Sequence, residues 1–373
     1  MSGAPEPGRG TWVEVDLDAI EHNVGALRPD GTDLMAVVKA DGYGHGAVQV
    51  ASAALEGGAA WLGVALVEEG LALRRAGIDA PILVLSEFPA GSERAALDAH
   101  LTPSLYTRAG LHRLHDAAGG ARLGVHVKID TGMHRVGVWP PEELTGFLGS
   151  VRDRGFALVA LWTHLARSED DAVTTKDQLD RFQEAVMTAR AAGHEPGMLH
   201  AANTAGSILY PEAQLDMVRT GIGIYGVEPA PGVSAELGLR PAMTWRSTVT
   251  MAKRLSAGER VSYGHRYELE RDAWVATVPV GYADGYPRAL SSRADVLIGG
   301  RRCRVAGSVT MDQLMADCGD HAPQAGDPVV LLGAQGEEVI TANELGPLAG
   351  SIGYEIVTRV GARVPRRYLG ARS

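Results

Sequence analysis

Between residues 30 and 225 the chain alternates short apolar runs with amphipathic stretches, and this alternation restricts the fold more than any other feature. The runs are four to seven residues long and bounded by glycine, proline or polar clusters, which is typical of strands buried on both faces. In chain order they are LMAVV (34–38), WLGVA (61–65), ILVL (82–85), LTPSL (101–105), LGVHVK (123–128), FALVALW (156–162), GMLHAA (197–202) and QLDMV (214–218).

Helical patterns separate these runs. Two clear examples are GAVQVASAALEGG (46–58) and TTKDQLDRFQEAVMTARAAG (174–193), and both end at glycine, a common residue just beyond a helix C-terminus. The count is eight strand-then-helix units, the number that closes a parallel barrel. We therefore predict an α/β protein with a (β/α)8 TIM-type barrel. A doubly wound open sheet is the alternative, but eight units within about 200 residues favour the barrel.

The pattern changes after EPAPGVSAELGLRPAM (228–243), whose proline and glycine content is typical of a linker. The later runs STVTMA, AWVATVPV, ADVLIG and DPVVLLG alternate or are β-rich, and few helical patterns accompany them. They predict a second, mainly antiparallel β-domain. We expect a flexible tail over residues 1–10, the barrel over 11–235 and the β-domain over 236–373.

The N-terminal segment TWVEVDLDAIEHNV holds one more strand. Asp18 follows it with Glu21 three residues later, a spacing that resembles a capping box and predicts a helix start. The sequence leaves open whether this strand joins the barrel or the β-domain.

Composition restricts the partners and the compartment. A formal net charge of −10 disfavours nucleic acid and anionic membranes as partners, because both are bound mainly through clustered positive charge. No signal-like apolar segment or membrane-spanning run is present. Cys303 and Cys318 are too few for a disulfide framework and too far apart for a C-x-x-C pair. We therefore expect a reduced, cytoplasmic protein.

Polar side chains follow several predicted strands, at the end of a barrel where active sites are built. Several of these side chains are cations or an imidazole, and glycines that tolerate unusual backbone angles accompany them. The last two strand ends match the place where many barrels bind phosphate. In chain order the residues are Lys39, Lys128, Asp130, Thr131, Arg135, Thr163, His164, Asn203, Thr204, Arg219, Gly221, Ile222 and Gly223.

Lys39 is the most informative single residue of this set. At the mouth of a partly desolvated barrel, burial lowers the pKa of a lysine and supplies the neutral amine that an imine requires. A lysine that merely extends from the barrel rim is the alternative. His164 and Arg219, taken singly, are equally compatible with structural roles, and a glycine-rich turn such as GYGHG (42–46) is common after strands. The cluster is therefore more informative than its members.

The segment AVVKADGYGHG (36–46) resembles the cofactor-lysine signature of the alanine racemases, which carry pyridoxal 5′-phosphate on a barrel of this kind. Further segments match the same family in the same order along most of the chain. They are VHVKIDTGMHRVG (125–137), THLARSED (163–170), HAANTAGS (200–207), VRTGIGIYG (218–226), VSYGHRY (261–267), GYADGYPR (281–288), GSVTMDQLM (307–315) and GYEIVTRVGARVPRRY (353–368).

The resemblance implies a role for each matching residue. Lys39 would hold the cofactor covalently, Arg219 would hydrogen-bond its pyridine nitrogen, and His164 would lie beside the ring. A phosphate and cofactor set would be Tyr43, Asn203, Thr204, Gly221, Ile222 and Tyr354. A substrate set would be Arg135, Tyr282 and the backbone of Met311, supported by Lys128 and Asp312. Tyr263 would come from the second subunit of a homodimer. The family also implies that Lys128 can be carbamylated.

These roles imply a two-base racemisation of alanine, which supplies D-alanine for peptidoglycan. Inversion at Cα needs a proton removed from one face and returned on the other, while the cofactor withdraws electrons. Lys39 would serve the D-alanine proton and Tyr263 the L-alanine proton. A guanidinium cannot surrender its proton, so Arg219 only donates a hydrogen bond, which favours racemisation over transamination.

Four alternatives remain at the level of sequence. A non-catalytic barrel that manages pyridoxal phosphate would lack the β-domain. A barrel-type decarboxylase would place an acid at the pyridine nitrogen. A racemase for another amino acid differs only in pocket volume, and one methylene is worth about 1–3 kcal/mol. A metal enzyme is disfavoured, because His112 and His115 have helical spacing but no matching acid or thiol ligands.

Overall fold

The computed structural model describes residues 9–229 and 232–370, so most of the tail expected over 1–10 lies outside the described residues. The chain forms two compact units. The barrel unit consists of Ile20–Gly42 and Ala47–Arg240. The β unit consists of the residues up to Ala19, the short segment Tyr43–Gly46, and the residues from Pro241 onward.

The N-terminal strand, β1 (Trp12–Asp16), belongs to the sheet of the β unit. A helix over Leu17–Leu27 follows it directly. The Asp16 carboxylate accepts a hydrogen bond from the Ala19 N–H at 3.0 Å. The cap is therefore Asp16 and not the expected Asp18, because the helix begins at Leu17, two residues earlier than the Asp18–Glu21 spacing indicates.

Eight parallel strands form the nearly closed barrel, and the predicted (β/α)8 fold is confirmed. Each of the first seven strands pairs with its neighbour along the chain, and the first also pairs with the last, so the ladder is open only between the seventh and eighth of these described strands. Between the seventh and eighth strands the Arg219 N–H donates to the Ala202 carbonyl at 3.0 Å. The strands are β2 (Asp33–Val37), β3 (Trp61–Val64), β4 (Ile82–Val84), β5 (Thr102–Leu105), β6 (Gly124–Lys128), β7 (Ala157–Trp162), β8 (Met198–His200) and β9 (Met217–Thr220).

Helices alternate with these strands and begin at the expected kinds of cap. Thr107 accepts from the Gly110 N–H, and Asp171 accepts from the Thr174 N–H, so each satisfies one of the free donors of a helix N-terminus. The helices of the barrel unit after β2 are Ala47–Glu56, Val67–Arg75, Glu93–Asp98, Arg108–Ala118, Glu143–Asp153, Ala172–Ala191, Thr204–Leu209 and Val233–Leu237.

The β unit is built on a ten-stranded sheet that is antiparallel except where β1 pairs with the last strand, and the predicted mainly antiparallel domain is confirmed. Buried and half-buried side chains alternate along its strands, as in Met243–Thr248. Two helices, Ala342–Leu348 and Gly353–Thr358, complete the unit. The strands are β10 (Met243–Thr248), β11 (Met251–Leu255), β12 (Arg260–Val261), β13 (Tyr267–Glu268), β14 (Ala273–Val278), β15 (Asp295–Ile298), β16 (Arg301–Val305), β17 (Leu314–Asp317), β18 (Pro328–Gln335), β19 (Glu338–Ile340) and β20 (Arg366–Leu369).

Within the described residues, none of the helices combines the length and the apolar composition that crossing a bilayer requires.

Candidate active site

A left-handed turn follows Lys39 at the carboxyl end of β2. Ala40 and Asp41 have φ angles of 53° and 52°, which cost energy for residues with a Cβ. The Glu69 carboxylate accepts from the Ala40 N–H at 2.7 Å and from the Ala65 N–H at 2.8 Å. Glu69 therefore ties the turn to the end of the neighbouring strand and fixes the backbone from which Lys39 extends.

The Lys39 amine lies in surroundings that favour its neutral form. Burial lowers its pKa, and the positive charge of Arg135 lowers it further, against a smaller opposing effect of Glu69. A neutral amine is the form that adds to a carbonyl carbon. The position at the barrel mouth and the direction of the pKa shift thus agree with the chemistry expected of this lysine.

Arg219 extends from β9 and is 4% exposed. Its guanidinium donates to the Thr163 carbonyl at 2.8 Å, to the Ala201 carbonyl at 2.9 Å and to His164 Nδ1 at 3.2 Å. Burial lowers its pKa to about 9, which leaves it protonated at neutral pH. Among the described residues no carboxylate forms an ion pair with it. Arg219 is therefore held as a rigid hydrogen-bond donor.

Two histidines that the sequence analysis did not single out support Arg219 from below. Arg219 donates to His200 Nδ1 at 3.0 Å, so the proton of neutral His200 lies on Nε2, which faces His126 Nδ1 at 3.1 Å. Burial lowers the pKa of His126 to about 3, and burial beside Arg219 lowers that of His200 well below its usual value. Both imidazoles are neutral, and each fixes the tautomer of the next.

Trp162 at the end of β7 packs against this chain of hydrogen bonds. Its ring stacks on His200 with centroids 5.4 Å apart and planes 11° apart. The Arg219 guanidinium carbon and the Lys128 Nζ lie 4.8 Å and 4.5 Å from its ring centre. Cation–π attraction to one ring thus holds two cations close together in the barrel.

Lys128, the last residue of β6, is buried without a carboxylate ion-pair partner among the described residues. Its pKa is lowered to about 7, first by burial and then by the positive charges of Arg219 and Arg135, against a smaller opposing effect of Asp130. Asp130 accepts from two backbone N–H groups, those of Gly132 and His134, both at 3.0 Å. Its carboxylate therefore shapes the loop.

Positive charge exceeds negative charge at this end of the barrel. Burial lowers the pKa of His164 well below its usual value, and the nearby basic groups Arg219, Lys128, Arg135 and Lys39 lower it further. An anionic ligand would neutralise this excess. The barrel mouth is therefore suited to a ligand that carries phosphate or carboxylate groups.

The ends of β8 and β9 meet at Thr204 and Gly221. The Gly221 N–H donates to the Thr204 hydroxyl at 3.0 Å, and a short 3-10 helix begins at Ile222. The Asn203 side-chain oxygen caps the helix Thr204–Leu209 through the Gly206 N–H at 2.8 Å. Asn203 thus has a structural use in addition to the cofactor contact expected from the sequence.

Tyr43 and Tyr354 come together within the β unit, with ring centroids 6.5 Å apart. The segment that carries Tyr43 is held by Arg366, which donates to the Gly44 carbonyl at 2.9 Å and 3.0 Å. Gly44 has a φ of 81°, and a Cβ there would collide with the Val357 carbonyl. The glycine at this position of GYGHG is therefore required by a close approach of two backbones.

Tyr263 lies in an exposed turn of the β unit, and its side chain is 75% exposed. The Ser308 hydroxyl donates to the Tyr263 carbonyl at 3.0 Å, and the Ser262 hydroxyl donates to the Ser308 carbonyl at 2.7 Å. The backbone is thus fixed while the phenol remains open to solvent. The turn lines a shallow pocket formed by Ser262, Tyr263, Gly264, His265, Thr310 and Met315.

Two further loops of the β unit carry Tyr282, Met311 and Asp312, and hydrogen bonds hold these loops together. The Tyr282 N–H donates to the Thr310 carbonyl at 3.0 Å, and the Ala283 N–H donates to the Met311 carbonyl at 3.0 Å. Arg363 donates to the Asp312 carboxylate at 2.7 Å. Met311, Tyr282 and Asp312 therefore lie close together in the β unit. The other expected residues lie together at the barrel mouth, and they are Lys39, Lys128, Arg135, His164 and Arg219.

Trp162, His200, His126 and Glu69 are site residues that the sequence reasoning missed. The sequence did contain a signal for His126. It lies two residues before Lys128 in the strand VHVK, so both side chains lie on the same side of β6. A histidine in an otherwise apolar buried strand needs a hydrogen-bond partner, and this requirement could have indicated the neighbourhood of a second polar group.

The fold and the candidate site together define a two-domain barrel protein whose barrel mouth holds an amine of lowered pKa beside a fixed guanidinium. Residues 15–229 match the model of the alanine racemase N-terminal domain, and residues 242–368 match that of the alanine racemase C-terminal domain. The chain therefore belongs to the alanine racemase family and is an enzyme that racemises alanine.

Relatives named as alanine racemases cover nearly the whole chain. It is 50% identical to the alanine racemase of Symbiobacterium thermophilum, covering 97% of this chain and 98% of the relative, and 43% identical to that of Thermobifida fusca, covering 96% and 98%. Among solved structures, the alanine racemase of D-cycloserine-producing Streptomyces lavendulae is 40% identical with a TM-score of 0.93, covering 98% of each chain. That of Bacillus anthracis with bound L-Ala-P is 36% identical with a TM-score of 0.92, covering 99% and 97%.

Proposed function

We propose that this enzyme interconverts L-alanine and D-alanine with pyridoxal 5′-phosphate held on Lys39, by a two-base mechanism that supplies D-alanine for peptidoglycan in the cytoplasm. The observation that carries the proposal is the Lys39 amine of lowered pKa in a barrel mouth that also fixes Arg219 as a hydrogen-bond donor.

The described residues fit this cofactor in three respects. Lys39 offers an amine for its aldehyde, and Arg219 offers N–H groups that no carboxylate among the described residues engages as an ion pair. Thr204 offers a hydroxyl and Ile222 a backbone amide for its phosphate, beside Gly221, whose N–H donates to the Thr204 hydroxyl and would turn to the phosphate when the cofactor binds. When bound, the cofactor withdraws electrons from the substrate Cα and so acidifies its α-proton.

Arg219 would decide how the withdrawn electrons are used. Its guanidinium keeps its proton and so leaves the ring nitrogen largely unprotonated, which limits electron withdrawal. Held in this way, Arg219 would favour racemisation over transamination. His200 and His126 help to keep the guanidinium in place, because Arg219 donates to His200 and His200 in turn donates to His126.

Replacing Arg219 by glutamate tests this role. We expect racemisation to fall by at least roughly 10²-fold, while the number of transamination events per racemisation rises, because a carboxylate would keep the ring nitrogen protonated. Both products are counted by chromatography after incubation with L-alanine. Arg219→Lys is the matched control, since it keeps the cation. An unchanged ratio in Arg219→Glu would contradict the role.

Proton exchange on the two faces of the substrate would be divided between Lys39 and Tyr263. Lys39 would move the proton of D-alanine, and Tyr263 from a second copy of the chain would move that of L-alanine. The 75% exposure of Tyr263 supports a role that a second copy completes. Arg135 would bind the substrate carboxylate, and the Met311 backbone and Tyr282 would line the substrate site.

Lys128 would be carbamylated, which turns a buried cation into an anion that orients Arg135. The pKa of about 7 supports this, because only the neutral amine reacts with carbon dioxide. We expect bicarbonate labelled with ¹³C to give one carbamate resonance, whose intensity grows as the pH rises through 7. Lys128→Arg removes the resonance, and the exposed Lys176 serves as the control site. An unmodified Lys128 in fully active enzyme would contradict the assignment.

The substrate assignment is tested by incubating the purified enzyme with L-alanine and following D-alanine, with L-serine as the comparison. We expect alanine to be converted faster. Faster conversion of serine would change the substrate and leave the two-base mechanism standing.

A further inference from the structure

The two cysteines of the chain, far apart in sequence, are neighbours across adjacent strands of the β unit. β16 and β17 pair antiparallel with Arg304 opposite Asp317 and Val305 opposite Ala316. One further step of this register sets Cys303 opposite Cys318. Directly opposed residues point to the same face of a sheet, so the two thiols share one face.

The backbone hydrogen bonds show what kind of pair this is. The Ala306 N–H donates to the carbonyl of the opposite residue, Met315, so these two form a hydrogen-bonded pair. Hydrogen-bonded and non-hydrogen-bonded pairs alternate along an antiparallel ladder, and Cys303–Cys318, three pairs further along, is therefore a non-hydrogen-bonded pair. Consistently, the Cys318 N–H donates to Trp274 on β14, away from β16. In such pairs the Cα atoms are about 4.5 Å apart, within the range of about 4.4–6.8 Å that a disulfide requires.

Both thiols are buried in the reduced protein. Cys303 and Cys318 are 2% and 8% exposed, and their sulfurs donate to the carbonyls of Arg301 and Ala316 at 3.8 Å and 3.5 Å. The interaction between the two side chains lowers the pKa of Cys303 and raises that of Cys318. Cys303 is therefore the nucleophile of the pair and Cys318 the second thiol.

We propose that Cys303 and Cys318 form an oxidisable dithiol that hydrogen peroxide closes to a disulfide within the folded chain. The Cys303 thiolate attacks one peroxide oxygen, the O–O bond breaks, and hydroxide leaves, which gives a sulfenic acid. The Cys318 sulfur then attacks the Cys303 sulfur, and the second hydroxide leaves. The two thiol protons convert both hydroxides to water, so one peroxide is reduced and two thiols are oxidised.

The disulfide would close the base of the hairpin whose loop carries Met311 and Asp312. The same loop holds the Tyr263 turn through Ser308. Cross-linking the two strands restricts the unfolded chain and so stabilises this hairpin. That the hairpin contributes to the substrate site rests on the proposed function, whereas formation of the disulfide does not.

The test treats the native enzyme with hydrogen peroxide, blocks the remaining thiols with an alkylating reagent, and maps the digest by mass spectrometry without reduction. We expect both free thiols to disappear together, a peptide pair linked through Cys303 and Cys318, and recovery of both thiols with a dithiol reductant. Full alkylation of both cysteines after peroxide, or oxidation of each without a link, would overturn the proposal.

A second readout is the unfolding temperature. The oxidised wild type should unfold a few degrees higher than the reduced protein, and Cys303→Ala, which retains every methionine, should show no rise after the same treatment. An equal rise in the variant would assign the effect to other oxidised residues and contradict the proposed link. These outcomes leave the racemisation mechanism untouched, so failure of either proposal is recognised separately.

Discussion

Replacement of Lys39 by alanine should lower racemisation of alanine by at least roughly 10³-fold, because it removes both the amine that holds the cofactor and one of the two bases. The fold should survive, since Lys39 lies at the mouth of the barrel and the turn beside it is held through the Ala40 N–H by Glu69. The measurement is D-alanine formed from L-alanine, together with the circular dichroism spectrum.

Two further variants separate the chemistry of Lys39 from its charge. Lys39→Arg keeps the cation among Lys128, Arg135 and Arg219 but forms no imine, and we expect it to be as inactive as Lys39→Ala. Lys176→Ala removes an exposed lysine that pairs with Asp180, and we expect full activity. Substantial racemisation by Lys39→Arg would show that this position supplies charge only.

Replacement of Tyr263 by phenylalanine should lower racemisation by roughly 10²–10⁴-fold, the range for loss of a general acid–base group. The loss should be one-sided. In deuterated water, D-alanine should still exchange its α-proton through Lys39, whereas exchange into L-alanine should nearly stop. Mass spectrometry of the two enantiomers after separation measures both exchange rates.

Tyr267→Phe is the matched control for Tyr263→Phe. Tyr267 lies four residues along the same segment, and its hydroxyl donates to the Asp317 carboxylate at 2.9 Å. Loss of this hydroxyl should reduce the stability of the fold slightly and leave the ratio of the two exchange rates unchanged. Equal loss of exchange from both enantiomers in Tyr263→Phe would show that the phenol does not act on one face.

The barrel could be predicted from the sequence because its strands are buried on both faces. Such strands are continuous apolar runs, and the runs LMAVV and FALVALW contain or nearly contain β2 and β7 as observed. The last run was less well placed, since QLDMV covers only the beginning of β9, which continues through Arg219 to Thr220. A buried arginine ends the apolar signal although the strand continues.

Contacts between distant segments could not be predicted, because no local pattern encodes them. The N-terminal strand fits a sheet in either domain until its partners β10 and β20 are known. Cys303 and Cys318 are separated by a hairpin whose register sets them opposite each other, which their spacing alone does not indicate. Likewise, the hydrogen bond between His200 and Arg219 depends on the closure of the barrel.

The proposed mechanism requires that Lys39 of one copy and Tyr263 of another serve the same substrate. Co-expression of Lys39→Ala and Tyr263→Phe chains, each inactive alone, tests it directly. Random pairing should restore about a quarter of the wild-type activity, because half the dimers contain one intact site of two. No restoration, with mixed dimers demonstrated by two affinity tags, would contradict a site shared between copies.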